Sequence, residues 1–324
     1  MSLQAQAPAP APGSFDEKAG RTLRPVVALV LFLLAVFAGG ALLAPWLWRA
    51  VQAVAASHAA LRPLAAHPFA RYVNRCLLLV ALVGLPLFVR GAGIRRWEDV
   101  GFHPRRVAWR RFLAGFGLGF VSLALVCTVA LAVGGRAFDL DTTPGEVAGK
   151  LAGALLTAVI VAVLEELLFR GAIFGGLRRA MPWGAALAVA SAVYAIVHFL
   201  GRPTAPRQIG WDTGLAVLPG MLRGFTEVGT LVPAFFSLTL AGVVLGLAYQ
   251  WTGDLYASMG IHAGWIFWLK SYGFLTDGAP AASARIWGSD KLIDGWFAFA
   301  MLVVVLAVVA AGMMRRREAL TWPR

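Results

Sequence analysis

The chain of 324 residues is too apolar for an ordinary soluble domain, since 59% of its residues are hydrophobic and only 14% are charged. Its net charge is +13, but the Lys and Arg residues lie between hydrophobic stretches and not along one amphipathic face, which excludes a nucleic-acid-binding surface. These observations predict an all-α fold, a polytopic membrane helix bundle, with the lipid bilayer as its solvent.

Stretches long enough to cross a bilayer recur along the whole chain. A bilayer core about 30 Å thick requires a helix of about 20 apolar residues. Two of the stretches are shorter, but helix-breaking residues and tryptophans typical of a membrane interface flank them. We therefore predict about eight transmembrane helices, at 25–47, 73–90, 112–134, 150–180, 184–200, 231–251, 254–270 and 294–314.

The segments outside these spans suggest a simple domain organisation. Residues 1–24 form an N-terminal tail, rich in Ala and Pro, that we predict to be disordered. Residues 25–314 form a single transmembrane domain without internal repeats, and residues 315–324 form a basic C-terminal tail. If both termini are cytoplasmic, 17 of the 29 Lys and Arg residues face the cytoplasm, as the positive-inside rule requires. We expect an integral protein of the inner (plasma) membrane of a bacterium.

Glycines spaced by four residues occur in three of the predicted helices. The pairs are Gly115/Gly119, Gly171/Gly175 and Gly242/Gly246. Small residues at this spacing allow two membrane helices to approach closely. We expect these pairs to serve helix packing.

Two adjacent carboxylates lie inside the predicted helix 150–180. Ionisable side chains in a spanning helix cost about 2.5 to 3.5 kcal/mol each on the insertion scale, so they seldom occur without a role. Glu166 precedes Arg170 by four residues, which is the favourable order for a helical ion pair. Glu165 is rotated by about 100° from Glu166 on an α-helix and has no such partner. We therefore predict that Glu165 is the catalytic carboxylate and that Glu166 and Arg170 belong to the same site.

Two histidines of other predicted spans can reach this carboxylate. If the turn between the fourth and fifth helices is at Pro182, Glu165 and His198 both lie about 25 Å from it along antiparallel helices. His262 lies near the middle of the seventh span and can reach a similar depth. A single transmembrane histidine more often hydrogen-bonds a neighbour than takes part in a reaction, but two histidines and an unpaired Glu together predict a functional site.

This set of side chains suits hydrolysis of a carbonyl compound by water. Glu165, His198 and His262 would satisfy a zinc site with an open water position. Without metal, Glu165 can take the proton from water while the imidazoles act as hydrogen-bond partners. The sequence leaves both mechanisms open.

The order of these motifs resembles a known family. Glu165-Glu166-x-x-x-Arg170, an aromatic residue four positions before His198, and His262 in a later helix are similar to the CAAX prenyl protease and bacteriocin-processing family, also called CPBP or Abi. The similarity covers about residues 145–270. It implies an intramembrane endopeptidase of eight helices, with the first Glu and the two His as catalytic residues. It also implies a membrane protein or a lipidated peptide as substrate.

The chain departs from the pattern of that family at two positions. Tyr194 stands where the family usually has Phe, and Ile266 stands where it usually has Asn or Asp, one helical turn after His262. A polar side chain at the second position could orient water or donate to an oxyanion. A catalytically inactive membrane scaffold or immunity factor is therefore an alternative. A proton-coupled transporter is a third, weaker one, since intramembrane Glu and His also form proton relays.

Overall fold

The computed structural model describes residues 14–103, 107–138, 143–201, 204, 206–225, 228–278, 284–288 and 292–319. Almost all regular structure in it is helical, which confirms the predicted all-α membrane bundle. The helices, in chain order, are α1 (Ser14–Ser57), α2 (Arg62–Ala65), α3 (Phe69–Gly91), α4 (Trp97–Val100), α5 (Val107–Ala132), α6 (Pro144–Glu166), α7 (Gly175–Leu177), α8 (Trp183–His198), α9 (Thr213–Met221), α10 (Val228–Thr252), α11 (Tyr256–Leu275), α12 (Ala284–Trp287) and α13 (Trp296–Ala319). A π-helical segment, Leu167–Phe174, joins α6 to α7, and 3-10 turns lie at Ala59–Leu61 and Leu222–Phe225.

Each of the eight predicted spans lies on a helix of the structure. Within the described residues, six helical stretches are long and apolar enough to cross a membrane: Leu23–Ser57, Phe69–Gly91, Ala108–Ala132, Pro144–Leu177, Leu231–Thr252 and Trp296–Met314. The fifth predicted span corresponds to α8, a shorter apolar helix, and the seventh to α11. Helix α11 is less apolar than these six stretches. Its residues Ser258–Ile266 are all buried in the bundle, so they contact other helices and not lipid.

The ends of the chain are more helical than the sequence suggested. Helix α1 begins at Ser14, so the prediction of disorder is wrong for residues 14–24, and residues 1–13 lie outside the described part. Helix α1 therefore continues across Pro25, where a proline usually weakens a helix, and the composition of the tail did not indicate this continuation. The predicted basic tail at 315–324 is likewise helical as far as Ala319.

Helices α5 and α11 touch along their backbones. A side chain on Gly115 or Gly119 of α5 would collide with the backbone of α11, and a side chain on Gly260 or Gly264 of α11 would collide with the backbone of α5. The expected packing role of the Gly115/Gly119 pair is therefore confirmed. The close approach fixes α11, and with it His262, against the rest of the bundle.

Each of the other two glycine pairs has one tightly packed member. Gly242 of α10 lies against the backbone of Ser191 of α8 and leaves no room for a side chain, whereas a side chain at Gly246 would meet only the end of the flexible Leu187 side chain. In the third pair, Gly171 is tightly packed against Val100, whereas Gly175 would make only ordinary van der Waals contacts. The third pair therefore provides one close contact instead of two.

A short two-stranded sheet joins the ends of α5 and α11. Strand β1 (Arg136–Phe138) pairs in antiparallel fashion with β2 (Thr276–Gly278). The buried Arg136 side chain reaches Thr276 Oγ1 at 3.2 Å and stacks on the Tyr272 ring, 4.5 Å from its centroid. These contacts hold the two helices together at the end distant from Gly115, and no pattern in the sequence predicted them.

Candidate active site

The predicted convergence of Glu165, His198 and His262 is confirmed. Glu165 lies in the last turn of α6, His198 is the last residue of α8, and His262 lies in the first half of α11. Glu165 Oε2 is 3.7 Å from His198 Nε2 and 3.7 Å from His262 Nε2. These separations are too long for direct hydrogen bonds, and Oε2 is buried without a hydrogen-bond partner. The three atoms therefore face one another across a small gap.

The second nitrogen of each imidazole decides which atom faces Glu165. His198 Nδ1 is 2.7 Å from the backbone oxygen of Tyr194, and His262 Nδ1 is 2.8 Å from Glu166 Oε1. A carbonyl oxygen and an ionised carboxylate can only accept hydrogen bonds, so both Nδ1 atoms carry the proton and donate. In the neutral imidazoles both Nε2 atoms then present lone pairs towards Glu165.

Glu166 and Arg170 form the predicted ion pair. Arg170 Nη1 is 2.6 Å from Glu166 Oε1, with Glu166 completely buried and Arg170 only 3% exposed. The same carboxylate oxygen accepts the bond from His262, a contact between residues 96 positions apart that the sequence reasoning missed. Arg170 also reaches the backbone oxygen of Gly242, at 3.4 Å. Glu166 therefore orients His262, while Arg170 neutralises Glu166 and links it to α10.

A π-helical segment begins directly after the two carboxylates. It runs from Leu167 to Phe174 and carries Arg170 and Gly171. Segments of this kind are rare and are frequently found at functional sites. Hydrophobic periodicity predicted a continuous helix over 150–180. It could not reveal the π-helical turns, because most residues of this stretch are apolar and the pattern does not define the number of residues per turn.

Tyr194 lies between the two histidines. Its hydroxyl is 3.3 Å from His262 Nε2, and its ring centroid is 4.3 Å from that of His198. The ring also carries the Arg170 guanidinium on its face, 4.6 Å from the centroid, and the residue is buried. The sequence comparison marked Tyr194 only as a departure from a family pattern, whereas the structure places it in contact with three side chains of the site.

Ile266 lies on the same side of α11 as His262, one turn further along. It is buried in an apolar cluster with Ala158, Ala162 and Ala263. Ala162 stands one turn before Glu166 on α6, so Ile266 lies at the α6/α11 interface beside the site. The position that resembles a polar one in the family therefore contributes only apolar packing in this chain.

The site is buried on one side and open on the other. His262 and Glu166 are buried, whereas the side chains of Glu165 and His198 are 27% and 30% exposed. The exposed part of the site therefore lies at Glu165 and at His198, the last residue of α8.

The three predicted zinc ligands lie close together, but they are not arranged as a metal site. In the part of the chain that the structure describes, no group of three or more His, Cys, Asp or Glu side chains is arranged to hold a metal ion. Zinc binding by Glu165, His198 and His262 stays a prediction.

Comparison with known proteins gives one match. Residues 147–268 match the family model described as Type II CAAX prenyl endopeptidase Rce1-like. No curated protein and no solved structure matches the chain. The matched region contains Glu165, Glu166, Arg170, His198 and His262, and its limits agree with the range of 145–270 over which the motifs showed resemblance. The match therefore agrees with the resemblance of the central region to CAAX-type proteases.

Proposed function

We propose that the protein is an intramembrane endopeptidase that hydrolyses a peptide bond of a membrane-associated substrate. Glu165 acts as the base that activates water, and His198 and His262 line the gap in which that water lies. The observation that carries the proposal is the gap between Glu165 Oε2 and the two Nε2 atoms, each 3.7 Å away. The family match supports a CAAX-type protease.

The gap is suited to one water molecule. An oxygen atom can lie about 2.8 Å from each of two acceptors that are 3.7 Å apart. Glu165 Oε2 and an imidazole Nε2 then accept the two hydrogens of the water, which leaves an oxygen lone pair free to attack. The fixed orientation of both rings, through Tyr194 and Glu166, lowers the entropic cost of placing the water.

The reaction then follows from these groups. Glu165 takes one proton from the water as its oxygen bonds to the carbonyl carbon, and the π electrons of the C=O bond move onto the carbonyl oxygen. When the tetrahedral intermediate collapses, the C–N bond breaks and the proton held by Glu165 passes to the leaving nitrogen. The products are a carboxylic acid and an amine, and Glu165 is again a carboxylate.

The position of the site limits the substrates. It lies among helices that are long and apolar enough to cross a membrane, and its Glu165 and His198 side chains are partly exposed, so we propose a membrane protein or a lipidated peptide as substrate. We also propose an inner (plasma) membrane protein of a bacterium with both termini cytoplasmic, and the distribution of Lys and Arg supports this orientation of the termini.

The test compares protein ends in membrane fractions from cells that express wild-type protein or Glu165→Gln at equal levels. New termini that appear with wild type and are missing with Glu165→Gln are expected, and they identify the substrate. Glu146→Gln is the matched control, because Glu146 lies on the same helix in a capping box with Thr143, where Gln also serves. Identical termini for wild type and Glu165→Gln would refute the proposal.

The burial of Ile266 favours one second candidate, a non-catalytic scaffold or immunity factor that binds a membrane peptide. An apolar residue beside the site provides no donor for an oxyanion, as an enzyme of this type would need. Full biological function of the Glu165→Gln variant would support this candidate over proteolysis.

A further inference from the structure

The atoms that face the reaction space are all hydrogen-bond acceptors. Glu165 Oε2 is a carboxylate oxygen, and both Nε2 atoms present lone pairs because the Nδ1 atoms are the donors. Acceptors suit the activation of water, but they repel the negative charge that develops on a carbonyl oxygen. Hydrolysis at this site therefore needs a hydrogen-bond donor from elsewhere in the protein.

Two neighbouring side chains are poor sources of that donor. Arg170 has its guanidinium engaged by Glu166 Oε1, by the backbone oxygen of Gly242 and by the face of the Tyr194 ring. Ile266, one turn after His262, has no polar atom on its side chain and is buried among alanines. Among the described residues, the donor that does touch one of the three acceptors is the Tyr194 hydroxyl, 3.3 Å from His262 Nε2.

We propose that the Tyr194 hydroxyl donates the hydrogen bond that stabilises the oxyanion of the tetrahedral intermediate. This role rests on the proposed peptidase function. In the resting site the hydroxyl donates to His262 Nε2 over a distance longer than the usual 2.7–2.8 Å of an O–H donor, so the bond is weak and is exchanged at little cost. When the carbonyl π electrons move onto oxygen, the hydroxyl turns to that oxygen and keeps its own proton.

The side chains around Tyr194 fix the position of its ring. Its ring packs edge-on against Phe169, with centroids 5.0 Å apart, and lies beside His198 and under Arg170. A ring fixed on three sides keeps the hydroxyl in place without the loss of rotamer freedom during the reaction.

The experiment measures kcat and KM of purified wild type, Tyr194→Phe and a control, with a synthetic peptide that spans a junction found by the comparison of termini. Tyr194→Phe removes only the hydroxyl, so kcat is expected to fall by about 10² to 10³ while KM changes little. Tyr249→Phe is the control: Tyr249 is also buried, but its hydroxyl bonds the backbone oxygen of Val100, and kcat should stay as in wild type.

A second variant separates a lost donor from a damaged fold. In Tyr194→Phe/Ile266→Asn, an amide donor enters at the α6/α11 interface beside the site, and recovery of at least tenfold in kcat over Tyr194→Phe is expected. A kcat of Tyr194→Phe within threefold of wild type overturns the proposal for Tyr194 and leaves the peptidase function intact, provided that Glu165→Gln is inactive. If Glu165→Gln is as active as wild type, the proposed function fails, and the role of Tyr194 fails with it.

Discussion

Replacing Arg170 by Met should destabilise the protein strongly. Glu166 is completely buried, and Arg170 Nη1, 2.6 Å away, is its neutralising partner. Arg170→Met leaves a buried carboxylate without its counter-charge, which costs about 3 to 5 kcal/mol. For a protein of this size such a loss lowers the melting temperature by on the order of 10 °C.

The assay is thermal unfolding of the purified protein in detergent, with two further variants. Glu166→Gln/Arg170→Met removes both charges and should recover at least half of the lost stability, because no uncompensated charge remains. Arg179→Met is the control, since its ion pair with Asp99 is 3.8 Å long and its side chain 40% exposed, so its removal should cost about 0 to 1 kcal/mol. Two results would show that Glu166 is not held as an ion in the bundle. One is an Arg170→Met variant as stable as wild type, and the other is an Arg170→Met variant as stable as the double variant.

Two further predictions concern helix packing and metal. Gly119→Ala should push α11 away from α5 and lower both the melting temperature and the rate of cleavage. Gly117→Ala is the control, because Gly117 lies on the same helix with open space around it, and it should change neither quantity. Equal effects of the two substitutions would argue against close packing at Gly119. Treatment with the chelator 1,10-phenanthroline should leave cleavage unchanged if Glu165 activates water without metal, and a loss that Zn²⁺ restores would instead support Glu165, His198 and His262 as zinc ligands.

Helix positions and the depth of the site were predictable from the sequence. The lipid environment demands long apolar helices, so each span is visible in the hydrophobic pattern. The rise of an α-helix then places Glu165 and His198 at one level, and the structure brings them within 3.7 Å. The Glu166–Arg170 pair was also predictable, because it depends only on spacing within a single helix.

Contacts between helices were much harder to predict. The bond from His262 Nδ1 to Glu166 Oε1 depends on the rotation of α11 about its axis, which the backbone packing at Gly260 and Gly264 determines. A sequence without periodic polarity gives little information on that rotation. The same reasoning explains why Tyr194 was treated as a mild departure: its hydroxyl matters only because α8 and α11 bring it next to His262.

The distribution of burial explains how the bundle tolerates so many ionisable groups at one level. Helices α1 and α13 face the lipid, with 22% of their most apolar windows buried, whereas the corresponding window of α10 is 56% buried. Helices α5, α6 and α10 shield α11 from lipid. Helix α11 can therefore contain His262 and two close-packed glycines although its hydropathy is low. Since the polar groups of the site contact each other inside this shell, Glu166, Arg170 and His262 avoid most of the cost of exposure to hydrocarbon, and the unpaired Oε2 atom of Glu165 faces the two histidines.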